Sequence, residues 1–410
     1  MLDYLTWIIA GFALLLALMP LAGLERWRMA AAMFALGAGQ IYLAVLSLVV
    51  LLLIDNQWRI TFRQSPGALA AIFVLVGGIV LLAVSQPTDL RTWSELAQLA
   101  LYVLLFFLFT SRLRDGRDLL ILLTACIAAS LGVTLLAFAA TAVGWVSAPA
   151  IFVDRGSNEA SVFLALLGVV PCAVMLTRTR NLLYLAAAGP MVLAQYLATS
   201  RGSLAVSIIV LLVAGFLWTR SLLIRGATII GGLAVLAYNV PQLLLLFDAQ
   251  LNSSARERMA LLEYGTGLAN ERFWTGWGWG STSRLASIAP NTAQTYPHFH
   301  NAYVQMIVEL GLLGWIVLGA GLWLAVRWGV IAAVRLRQPG VTALVACSMI
   351  GIATACLFDA MLFGADRSVQ MIVLLALCSR AVALGSEAQA KARQPRARRA
   401  SPAIRIAPAK

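Results

Sequence analysis

The stretch Thr295–Gln305, TYPHFHNAYVQ, holds His298 and His300, the two histidines of a 410-residue chain. Imidazole titrates near neutrality, so a histidine here can take a proton from a hydroxyl as a general base. Two of them at i, i+2 would share one face of an extended segment, as a metal pair does. A metal needs more ligands, and the chain has no third histidine, no Asp-x-Asp and no cysteine cluster. A structural pair bonded to carbonyls is the other alternative. Pro297 stops the preceding structure and an apolar run follows, which places His300 at the mouth of a helix starting near Asn301. Asn301, Gln305 and Glu309 then fall at i, i+4, i+8. A lipid-facing helix would not carry that polar stripe, so it faces protein or a water-filled cavity.

Arginines supply the second chemistry. Arg201 sits in ATSRGS, between two apolar runs with almost no loop. An arginine at the membrane centre costs about 3 kcal/mol, so this one is either an interfacial anchor or an anion site. Arg155, in DRGSNE, poses the same choice, with Asp154 and Glu159 at hand as partners. Further on, SARER places Arg256 and Arg258 behind an S-x-x-E capping-box spacing, which predicts a helix over about 255–269. Then comes FWTGWGWG, residues 273–280. Three tryptophans alternating with glycine do not fit a helix interior. They read as an interfacial aromatic belt or as a wall on which sugar rings or a lipid headgroup stack.

The elements that must hold these residues are membrane helices. The chain is 61% hydrophobic and 11% charged, with mean hydropathy +0.88, where a soluble domain has about 25% charged residues. Its apolar runs are continuous, so they span as helices rather than as barrel strands. About twelve spans of roughly the ~20 residues needed to cross are expected: 5–24, 29–54, 67–85, 93–110, 119–143, 159–176, 182–199, 203–219, 226–247, 304–326, 341–363 and 368–384. The first lacks a basic n-region and a cleavage site, so a retained span is expected. Alternate short loops carry arginine unequally. One set has Arg59, Arg63, Arg112, Arg114, Arg117, Arg178, Arg180, Arg220, Arg225, Arg327, Arg335 and Arg337; the other has Arg26, Arg28, Arg91, Arg155, Arg201 and Arg367. The richer set is expected to be cytoplasmic, with both termini. The unit is then one bundle, 1–384, including a long periplasmic loop 248–303 with short helices. A basic Pro- and Ala-rich tail, 385–410, is expected to be disordered and drawn to anionic membrane lipids. The net charge of +13 is thus an orientation signal, and no nucleic-acid partner is expected. The five cysteines (126, 172, 347, 356, 378) all fall in apolar runs and read as small core residues.

One histidine base and several arginines on the outer leaflet suit one reaction. A sugar on a lipid diphosphate has a good leaving group, and fixed guanidinium forks match the charge that develops on the phosphates. What remains is to deprotonate the acceptor hydroxyl. In this order, TSRGS (199–203), SARER (254–258), GWGWGS (276–281), HFHNAY (298–303) and ELGLLG (309–314) resemble the O-antigen ligase and O-antigen polymerase superfamily. The motifs cover about 199–314 and the topology covers the whole chain. The resemblance implies a GT-C-like all-α glycosyltransferase of the Gram-negative inner membrane, inverting and without a metal or cofactor. It implies transfer of polysaccharide from undecaprenyl diphosphate to lipid A–core on the periplasmic face. His300 matches the family's essential histidine; Arg201 and Arg256 match its essential arginines, with Arg258 fitting the second almost as well. Arg155, Arg258, His298, Asn301 and Tyr303 are expected to contact substrate, Arg155 and His298 from the local reading alone. The first alternative is a surface-polysaccharide polymerase. A protein O-oligosaccharyltransferase is disfavoured, because only a short basic tail follows the last span. A lipid-linked glycan flippase or exporter would show internal repeats and charges deep in several spans, and neither is seen.

Overall fold

The computed structural model describes residues 25–37, 90–144, 157–198, 200–219, 253–290, 298–316, 338–358 and 365–400, with isolated positions between them. Every regular element among these is helical. They are α1 (Glu25–Gly37), α2 (Leu90–Arg112), α3 (Gly116–Ala142), and α4, which runs through Ser157–Phe163, Leu164–Val169 and Val170–Thr179. Then come α5 (Leu183–Leu197), α6 (Arg201–Trp218), α7 (Ser253–Glu271), α8 (Thr282–Ser287), α9 (Ala302–Ile316), α10 (Pro339–Phe358) and α11 (Ala365–Ala400). Among the described residues, five stretches are long and apolar enough to cross a membrane: Gly116–Ala142, Ala160–Thr179, Arg201–Trp218, Pro339–Phe358 and Ser368–Ala390. The chain is an all-α membrane protein. Of the expected spans, 5–24, 67–85 and 226–247 lie outside the described residues but for isolated positions; the others coincide wholly or partly with helices.

Helix α4 is the centre of the bundle. Its apolar window is buried throughout, and α3, α5, α6 and α10 pack around it. Lipid offers no hydrophobic drive between helices, so close approach of small residues carries the association. Gly168 shows this: a Cβ there would lie 2.5 Å from Met191 Sδ and 2.9 Å from Ser130 Cβ. The middle of α4 is π-helical, Leu164–Val169. Pro171 follows, which has no N–H and whose ring would crowd the carbonyl of Leu167; the wider π turn relieves that crowding. The weak joint expected at 199–203 is a real break. Helix α5 ends at Leu197, α6 starts at Arg201, and Ser207 Oγ donates to Gln195 Oε1 at 2.8 Å across the hairpin.

The helix ends sort into two groups. At one end Arg380, 3% exposed, donates from Nε to Leu113 O (2.6 Å), from Nη2 to Arg114 O (3.0 Å) and from Nη1 to Glu387 Oε1 (2.9 Å). Arg112 pairs with Asp118 at 2.7 Å, and Asp115 caps α3 by accepting from the backbone N–H groups of Arg117 and Asp118. The Asp118 N–H holds the Asp115 carboxyl below its ordinary range. Gly340 lies against the Arg178 side chain at the same end. So the loops of the arginine-rich set meet at one end wherever they are described, as the alternation of charge requires. The opposite end gathers the starts of α6 and α9 and the finish of α10.

The last helix runs past residue 385. It continues to Ala400, whereas a disordered tail is expected from 385. The segment GSEAQAKAR is rich in good helix formers, which extend a helix already anchored by Arg380. Residues 401–410 lie outside the described residues.

Candidate active site

His300 is assembled by the start of α9. Asn301 is the cap of this helix: its Oδ1 accepts from Tyr303 N–H (3.0 Å) and Val304 N–H (3.1 Å), the pattern that satisfies orphan donors at a helix start. Its Nδ2 donates to Leu357 O at 3.2 Å, near the finish of α10. Tyr303 Oη donates to Ala353 O at 3.1 Å, one turn further in. His300 has φ +53°, a left-handed conformation that a non-glycine side chain enters rarely. The turn is held locally, because His300 N–H donates to His298 Nδ1 at 3.2 Å and the two rings stack edge to face at 4.1 Å.

The same finish of α10 receives Arg201. Gly202, next to it, lies so close to Phe358 that a Cβ would come within 2.6 Å of Phe358 Cβ. Leu357 binds Asn301 and Phe358 binds Gly202, so α10 brings the beginnings of α6 and α9 together. The Arg201 side chain is exposed and makes no hydrogen bond or ion pair among the described residues. Arg256 is exposed and Arg258 half-buried, both in the first turns of α7. This helix runs Ser253–Glu271, longer at both ends than the expected 255–269, and starts one residue before the serine of the capping box. It is tied to the histidine segment through Leu261 and Gly265, which pack on the buried Phe299 and on Val304. Arg155 lies outside the described residues.

The tryptophans separate. Trp279 is buried with Met306 and Leu310. Trp277 Nε1 donates to Leu268 O at 2.9 Å, and the Arg272 guanidinium sits 4.3 Å over its ring. Of the three only Trp274 is exposed, at 62%. A wall of three stacking faces is therefore not formed. The segment is bent by positive φ at Gly276, Gly278 and Gly280 so that its backbone can lie against α9.

That contact breaks α9. Gly311 has φ +61°. Leu312 N–H donates to Phe273 O (2.7 Å) and Leu313 N–H to Trp274 O (3.2 Å), while the Val308 and Glu309 carbonyls accept from Trp277 N–H (2.8 Å) and Gly278 N–H (2.9 Å). Unwound backbone at membrane depth is tolerated where protein satisfies it. The polar stripe faces inward as expected: Gln305 is 4% and Glu309 1% exposed.

A Cβ on Gly311 would meet Trp274 C and O and Gly276 N at 2.5 Å. Gly311→Ala adds this clash to left-handed strain of about 1–3 kcal/mol. The variant is expected to lower the unfolding midpoint in detergent. Gly267→Ala, where a Cβ meets nothing within 4 Å, is the control and should unfold like wild type.

No group of three or more His, Cys, Asp or Glu side chains that could hold a metal occurs among the described residues. What the site offers is an imidazole beside a capped helix and, one residue before the Gly202 contact with α10, an exposed arginine. Residues 162–319 match the family model described as O-Antigen ligase. No curated protein matches the chain. The match runs from the central helix α4 through Arg201, the long-loop helices and His300 into α9, and it supports the resemblance to the O-antigen ligase superfamily.

Proposed function

We propose that this protein belongs to the O-antigen ligase superfamily and is an O-antigen ligase, moving polysaccharide from undecaprenyl diphosphate to lipid A–core at the periplasmic face of the inner membrane. The family supports the coarser statement, a membrane enzyme of the glycosyltransferase-like ligases and polymerases that act on lipid-linked glycan. The observation that supports the transfer chemistry is the double contact at the tip of α10, Asn301 to Leu357 at 3.2 Å and Gly202 against Phe358. It supports a site in which a base and a phosphate-binding arginine share one cleft. Arginine-poor loops lie at this end, so the positive-inside rule faces the cleft to the periplasm.

In this reading His300 takes the proton from the acceptor hydroxyl. The oxygen attacks the anomeric carbon, the bond to the diphosphate breaks, and undecaprenyl diphosphate leaves with the charge. Displacement in one step inverts the linkage. Arg201, with Arg256 or Arg258 from α7, stabilises the leaving diphosphate. Asn301, which caps α9 and binds α10, sets the place of His300; Tyr303 and His298 support the same turn. Arg155 remains a candidate contact to the donor.

Two measurements test this. Deleting the gene should leave lipid A–core without long polysaccharide while polymerised glycan accumulates on the carrier lipid; core bearing a single repeat unit would make the protein a polymerase instead. Purified protein should transfer glycan in excess EDTA, and a loss of activity restored by Mg²⁺ or Mn²⁺ would refute the metal-free mechanism.

A further inference from the structure

Burying a carboxylate is costly unless it is bonded, and Glu309 is 1% exposed. Donors from the turn 280–282 and from Gln305 converge on it. Oε2 accepts from Gly280 N–H at 3.0 Å, and Oε1 accepts from Thr282 N–H and Gln305 Nε2, each at 3.3 Å. Beside them Ser281 Oγ, Thr282 Oγ1 and Gln305 Oε1 are buried with no partner among the described residues. An apolar joint would hold two segments together without these costs.

The break at Gly311 gives the joint a purpose. The outer half of α9, Ala302–Leu310, is not kept in line by an unbroken helix below it. It is held from the side: by Glu309 on the turn 280–282, by the Val308 and Glu309 carbonyls on 277–278, and by Phe299 and Val304 against Gly265 of α7. Asn301 caps its tip about 12 Å from Glu309, at 1.5 Å per residue, and His300 precedes the cap. Resting on the base assignment above, we propose that Glu309 is a positioning residue for His300. Its carboxylate joins the turn 276–282 to the outer half of α9, and so fixes His300 relative to α7, the helix of Arg256 and Arg258.

Glu309→Gln keeps the shape but replaces one oxygen by an NH₂. Whichever way the amide turns, the N–H of Gly280 or of Thr282 then faces a donor. The chain's two histidines are both in this segment, so ¹⁵N-histidine labelling of the full chain in nanodiscs reports the site directly. Glu309→Gln is expected to shift the His300 imidazole signals and to lower kcat about tenfold or more, as misplacement of a reacting group does. The KM for undecaprenyl-diphosphate-linked glycan should stay near the wild-type value, and Glu309→Asp should recover part of kcat. Gln305→Met removes one donor and keeps the carboxylate; it should give a smaller shift, and it serves if Glu309→Gln does not fold. An unmoved His300 signal, with or without loss of kcat, overturns the proposal, and so does a loss confined to KM. The spectral readout needs no activity. If wild type transfers nothing but these variants move His300, the base assignment fails and the positioning role stands.

Discussion

His300→Ala is expected to lose about 10²–10⁴-fold in turnover, the worth of general-base help, while the protein still folds and still binds the lipid-linked donor. In the proposed mechanism the imidazole acts on the acceptor, so donor binding should not need it. Folding is protected because the cap is Asn301 and the contact to α10 is made through Asn301 Nδ2; neither uses the His300 ring. His300 already holds φ +53°, a conformation in which alanine is also disfavoured, so a thermal-unfolding scan must accompany the kinetics. His298→Ala should cost less, because what it removes is the acceptor for the His300 N–H at 3.2 Å. His298→Asn, with an amide oxygen near that place, should recover much of the loss. If His298→Ala is as damaging as His300→Ala and asparagine rescues nothing, His298 has a part in the chemistry itself.

Arg201→Lys is expected to be nearly as damaging as Arg201→Ala, each losing about 10²–10³-fold, the effect of removing one group that stabilises developing negative charge. Guanidinium grips two phosphate oxygens with a planar fork, and an ammonium is a single point of charge. An interfacial anchor behaves otherwise, since lysine snorkels as well as arginine. Transfer rates of the two variants at matched expression separate the readings, and a fully active lysine variant assigns Arg201 to the interface. Arg256→Lys should follow the same pattern, and the same series at Arg258 shows which of the two belongs to the site.

The membrane helices could be read from the chain because apolar runs and arginine-bearing loops are local properties. The inward stripe of Asn301, Gln305 and Glu309 was legible for the same reason, as a helical period in one segment. The approach of Gly202 and Asn301 to the same end of α10 was not. It depends on Leu357 and Phe358, which carry no chemical signal and are distant in sequence from Gly202. The break in α9 had a partial sign in Gly311 and in the glycines at 276, 278 and 280. Which carbonyls those glycines would approach is a tertiary match that no single segment encodes. The tryptophans were misleading as a set, because residue type does not say whether a ring is covered. Trp277 is taken up by Leu268 and Arg272, and Trp279 by Met306 and Leu310, leaving Trp274.

The division of labour between the two sides of the cleft is the core of the account, and it is tested by measuring donor binding and single-turnover transfer separately. Purified wild type, His300→Ala and Arg201→Ala would be given labelled undecaprenyl-diphosphate-linked glycan, first alone and then with lipid A–core. His300→Ala should bind the donor like wild type and transfer little of it; Arg201→Ala should bind it weakly. If His300→Ala transfers at the wild-type rate, or fails only because the donor no longer binds, His300 is not the base.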